Sequence, residues 1–87
     1  MAALDAGAVE RTVTTFIVDN FLFGNAADAP APSTSFMETG LIDSTGVLEL
    51  VGFIESTYNI KVGDDELVPE NLDSVANLAA FVVRKAA

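Results

Sequence analysis

Gly40-Leu41-Ile42-Asp43-Ser44-Thr45-Gly46-Val47 is the stretch on which the reading of this chain turns. It sets one serine at the start of an amphipathic helix, with an acid directly before it and an apolar stripe after it. Asp43 is well placed to cap that helix. Val47, Leu50, Val51, Ile54 and Tyr58 follow at spacings of three and four, the period of one buried helical face. A helix from about Ser44 to Tyr58 is expected. Gly46 and Gly52 each cost it about 1 kcal/mol relative to Ala. Both are read as leaving a small, open surface patch beside Leu48 and Glu49.

Three further helical stretches flank this one. Val9, Val13, Phe16, Ile17 and Phe21 fall at helical spacing, predicting a first helix over about Leu4 to Phe21. Asp5 and Glu10 lie near its start, where the helix dipole favours acids. Gly24 ends the pattern. Asn25 to Ser35, rich in Ala, Pro and Ser, reads as a long loop, with Phe36, Leu41 and Ile42 pinning its end to the core. After the serine-led helix, Asn59 to Val62 reads as an extended link and Gly63-Asp64-Asp65 as a turn. Pro69 opens a short helical turn over Glu70 to Leu72. Asp73 or Ser74 then caps a last helix with the stripe Val75, Leu78, Ala79 and Val82, and Arg84 and Lys85 favour its C-terminus. The expected fold is all-α: a small four-helix bundle of three longer helices and one short one, with a long loop between the first and second. Residues 1–87 read as a single domain, since neither half could build a core alone.

Composition narrows the function. The chain has no Cys and no His. That excludes a disulfide framework, a thiolate metal site and thiol catalysis. It also removes a Ser-His-Asp triad. Lys61 and Lys85, the lysines that could replace a histidine base, fall in a linker and a tail. The 13 acidic residues against four basic ones give a net charge of -9, which disfavours nucleic acid and anionic membrane surfaces. Met1-Ala2-Ala3-Leu4-Asp5 carries no signal-peptide pattern and no apolar run suits a membrane span, so a cytoplasmic monomer is expected. A basic protein partner is the natural complement of this charge.

Ser44 then has two readings besides catalysis. It is an ordinary helix-start residue, or it is modified by another protein. A helix N-terminus offers unpaired N–H groups and a positive dipole end to a phosphate, so a phosphodiester-linked group suits the position. The activating base would come from the modifying enzyme.

The segment Gly40 to Val51, with its Asp43-Ser44 pair and Glu49 ahead of Leu50-Val51, resembles the 4′-phosphopantetheine attachment region of acyl carrier proteins. The resemblance extends over the order of elements, the size and the acidity of the chain. It implies a carrier rather than an enzyme. A phosphopantetheinyl transferase, using coenzyme A and Mg²⁺, would modify Ser44, and the thiol of the arm would hold cargo as a thioester. It further implies a loading enzyme, acyl-transferring or adenylate-forming, and a downstream transferase, each with a basic docking patch. The docking surface would comprise Thr45, Leu48, Glu49, Glu55, Asp64 and Asp65, with Glu66, Glu70 and Asp73 extending its acidity. Fatty-acid-synthesis carriers usually have Leu after the serine and often an acid next. Thr45 and Gly46 here look more like specialised stand-alone carriers and the aminoacyl or D-alanyl carriers. A non-carrier acidic interaction module is the alternative from another class. For cargo, Phe16, Phe36, Phe53, Phe81, Leu50, Ile54 and Val82 are candidates to line a space between helices.

Overall fold

The computed structural model describes residues 5–86, and the expected helix start at Leu4 lies outside them. Among the described residues the fold is all-helical. Its helices are α1 Ala6–Phe21, α2 Phe36–Thr39, α3 Ser44–Tyr58, α4 Pro69–Leu72 and α5 Val75–Ala86. Three are long and two are single turns, so the bundle has one short helix more than the apolar periodicity predicts.

Each long helix starts at a residue whose side chain takes up an orphan N–H. Asp5 Oδ1 accepts from the Gly7 N–H at 3.2 Å. Asp43 Oδ1 accepts from the Gly46 N–H at 2.8 Å. Of the two candidates for α5, Ser74 is the cap: its hydroxyl accepts from the Asn77 N–H at 3.0 Å. α1 and α5 form the main helix pair. Val9, Val13 and Ile17 of α1 bury their side chains with Val75, Leu78, Phe81 and Val82 of α5, and α3 adds Leu50 and Ile54. Phe16 of α1 stacks on Phe53 of α3, with ring centroids 4.1 Å apart, and meets Phe21 edge-on at 6.2 Å.

The stretch from Asn25 to Ser35 is a loop, as expected, but an ordered one. It contains a 3₁₀ turn at Ala26–Asp28 capped by Asn25. Its far end is fastened to the other side of the molecule. The Pro32 carbonyl accepts from the Ala76 N–H at 2.8 Å, and the Phe36 N–H donates to the Asp73 carbonyl at 3.0 Å. α2 follows, with Phe36 fully buried as its anchor. Ser35 Oγ accepts from the Glu38 N–H at 3.1 Å, and Gly40, at φ +71°, closes the turn where a side chain would be strained.

The glycines of α3 differ from the sequence reading. Gly52 is exposed with open space around it, as expected. Gly46 is not part of an open patch: it is buried, and a Cβ there would lie 2.5 Å from Ile42 Cγ2 and 3.0 Å from Phe21 Cε1. Ile42 and Phe21 come from outside the helix, which is why local propensity did not reveal the contact.

Candidate functional site

Ser44 is the first residue of α3, and its side chain is exposed. Asp43 takes up the Gly46 N–H with its side chain and the Val47 N–H with its carbonyl. The N–H groups of Ser44 and Thr45 are the first-turn donors that Asp43 leaves over, and they form the positive end of the helix dipole. Ser44 also lines a groove of about 250 Å³ whose other walls are Met37 of α2, Val47 and Leu48 of α3, and Leu67, Val68, Pro69 and Leu72, with Asp73 among them. Met37 and Leu48 are more than half exposed, at 53% and 57%. An exposed hydroxyl on a rim of aliphatic side chains is available to another molecule, and the chain has no histidine to pair with it.

A second hollow, about 400 Å³, lies on the other side of the start of α3. It is lined by Phe21, the Gly40–Asp43 approach, Thr45, Gly46 and Glu49. Thr45 and Glu49 are both exposed there. Ser44 thus stands between an aliphatic groove and a hollow with two carboxylates.

The acidic residues expected to form one surface fall into two groups. Glu49, Asp64, Asp65 and Glu70 are exposed. Glu55, Glu66 and Asp73 are partly buried and hold the fold together. Glu55 Oε2 accepts from the Val62 N–H at 2.9 Å, tying the extended link back onto α3. Glu66 Oε1 accepts from the Gly63 N–H at 2.9 Å and from Lys85 Nζ at 3.0 Å. The Gly63 N–H, and after it the Lys85 ammonium, hold the Glu66 carboxyl below its ordinary value of 4.5. Asp73 Oδ1 accepts from the Met37 N–H at 3.0 Å, and Oδ2 accepts from the Ser35 hydroxyl. Asp73 therefore ties α2 to the α4–α5 junction and sets the position of the Met37 lip.

The residues proposed to line a cargo space also divide. Phe36, Phe81, Leu50, Ile54 and Val82 are closely packed core. Phe16 and Phe53 border a surface hollow with Thr12, Thr15, Asp19 and Asn20. None of the seven lines the groove at Ser44. Sequence reasoning missed its walls, Met37, Leu67 and Val68. The Ser35-Phe36-Met37-Glu38 run, a capping-box pattern, was the available signal for α2 and hence for Met37.

Residues 22–82 match the family model described as "Phosphopantetheine attachment site". The chain is 33% identical over 75 residues to "Acyl carrier protein" of Akkermansia muciniphila, covering 86% of this chain and 89% of that protein. It is 28% identical over 76 residues to "Probable acyl carrier protein PigG" of Serratia sp. (strain ATCC 39006), covering 87% and 86% of the two. The chain belongs to the acyl carrier protein family, whose members are not enzymes but bear a covalent 4′-phosphopantetheine arm and serve the transferase that installs it and the acyl-handling enzymes that use it.

Proposed function

We propose that Ser44 receives the 4′-phosphopantetheine arm and that the chain, acting as one carrier domain, holds acyl groups on it as thioesters in a specialised lipid or secondary-metabolite pathway. The observation that carries this reading is the exposed hydroxyl at the first position of α3, inside the matched segment, with two free first-turn N–H groups beside it. These donors suit a phosphodiester, and the aliphatic groove beginning at Ser44 suits the apolar stem of an arm. Attachment forms a bond from Ser44 Oγ to phosphorus and releases the adenosine bisphosphate part of coenzyme A. The hydroxyl proton goes to a base of the transferase, since this chain offers no histidine. Bound, the arm supplies the thiol, while the protein supplies docking and orientation.

Thr45, Leu48 and Glu49 around the serine, with Asp64 and Asp65 farther along, form the proposed docking face for partners with Arg or Lys patches. Glu55 contributes to it by holding the link that leads to Asp64. The aliphatic character of the groove favours acyl cargo. The Thr45-Gly46 run supports an aminoacyl or D-alanyl carrier, loaded by an adenylating enzyme, as the second reading.

Intact mass after incubation with coenzyme A, Mg²⁺ and a broad-specificity phosphopantetheinyl transferase tests the assignment. The expected result is a gain of one phosphopantetheine on the wild type and none on Ser44→Ala. No gain on the wild type favours the non-carrier interaction module instead. A gain that survives Ser44→Ala moves the site elsewhere.

A further inference from the structure

We propose that Gly46 is a positioning residue for modification at Ser44: its missing side chain lets Ile42 and Phe21 grip the first turn of α3 and fix the direction of the serine. The inference rests on Ser44 being the attachment residue. In a helix interior Gly is less favourable than Ala, so a buried glycine in the first turns of α3 calls for a tertiary reason. The surroundings supply one. A Cβ at 46 would meet Ile42 Cγ2 at 2.5 Å, Phe21 Cε1 at 3.0 Å and Asp43 Oδ1 at 3.4 Å.

The two nearest of these neighbours, Ile42 and Phe21, cannot yield cheaply. Ile42 is 2% exposed, and the methyl concerned branches from its Cβ, so it is not the end of a flexible chain. Phe21 leans edge-on against Phe16, which in turn stacks on Phe53 of α3 itself. The Asp43 carboxylate is engaged with the Gly46 N–H. Ile42 is moreover joined to α2, its N–H donating to the Phe36 carbonyl at 3.5 Å. A side chain at 46 therefore either pushes Ile42 outward, carrying the Asp43 cap with it, or lifts the start of α3 off α1. Both displace Ser44 relative to the Met37 lip of its groove. Thr45, Leu48 and Glu49 are exposed, and the side chains that meet the added Cβ are those of Ile42, Phe21 and Asp43, so on this proposal the groups offered to a partner are retained while the reacting oxygen is displaced.

The test measures arm transfer from coenzyme A by the same transferase on Gly46→Ala, with carrier concentration varied. The expected result is a fall in kcat of about tenfold or more with KM for the carrier unchanged, the pattern of a misdirected hydroxyl on an intact docking face. Ile42→Leu added to Gly46→Ala removes the Cγ2 branch and should restore kcat. Far-UV circular dichroism accompanies each variant. If Gly46→Ala loses its helical signal, the double variant carries the test: transfer at the wild-type rate supports the proposal, and a folded but slow double variant overturns it. Wild-type kcat in Gly46→Ala, or a rise in KM alone, also overturns it. Retention of the mass gain by Ser44→Ala would remove the attachment reading and this inference together. An unperturbed Gly46→Ala on a chain modified at Ser44 removes this inference only.

Discussion

Gly46 and Gly52 stand in the same helix and would be scored alike by any residue-by-residue scale, yet their surroundings give the same substitution opposite signs. At Gly52 nothing lies within reach of an added Cβ, so Gly52→Ala should stabilise the fold by about 0.5–1 kcal/mol through helix propensity and unfolded-state entropy. At Gly46 the overlap with Ile42 and Phe21 should outweigh that gain, and Gly46→Ala should destabilise by about 1–3 kcal/mol. Thermal melts of the two variants, read against the wild type, check the contrast: the midpoint rises for one and falls for the other, by about 4–8 °C per kcal/mol in a domain of this size. Ser44 and Asp43 could be located from their order in the chain because a cap and its helix are local. Gly46 was misread because what surrounds it comes from α1 and from the approach to α3.

At the scale of elements, the helices that a repeating apolar stripe announces, α1, α3 and α5, are where the sequence places them, and Pro69 marks α4. α2 has too few residues to show a period, and its local traces were the Ser35–Glu38 capping-box pattern and the C-cap Gly40. The ties that fix α2 were not legible, because they join Ser35 and Met37 to Asp73, far along the chain. Asp73→Ala should remove both bonds and destabilise by about 1–3 kcal/mol in chemical denaturation. Faster amide exchange should appear at Met37, on the lip of the serine groove. Glu66 makes a comparable tie between the 3₁₀ turn Asp64–Glu66 and the end of α5. Its carboxyl titrates below 4.5 in the fold. A depressed folded value means that its stabilising effect is present above 4.5 and is lost as pH falls through the lower folded value. Glu66→Gln should therefore be less stable than the wild type at neutral pH. The gap should narrow in denaturation midpoints taken below pH 4.5.

Over the whole molecule, the charge of -9 is unevenly employed. Glu55, Glu66 and Asp73 make internal bonds, while Glu49, Asp64, Asp65 and Glu70 are exposed, the last four being acids of the proposed docking face and its surroundings. Attraction between exposed acids and a basic partner acts mainly on encounter and is screened by salt. The KM of the transferase for the carrier should accordingly rise with sodium chloride, with kcat little changed. None of the described helices is long and apolar enough to cross a membrane. The fastening of the long loop has a separate consequence, for the order in which the chain folds. The Pro32 carbonyl on Ala76 and the Phe36 N–H on Asp73 join segments remote in sequence, as does the pairing of α1 with α5. The caps of α3, by contrast, bind within a few residues of themselves: Asp43 on Gly46, and the Asn59 N–H on Glu55. Closing the remote contacts carries the larger loss of chain entropy. The helix bearing Ser44 is then expected to take shape first, and the seam between the two ends of the chain to close after the rate-limiting step. Substitutions in α3 facing solvent, set against core substitutions in α1 and α5, would show this in refolding kinetics: φ-values near zero along the α1–α5 seam, with high values in α3, fit early α3 and late seam closure, and the reverse distribution contradicts it.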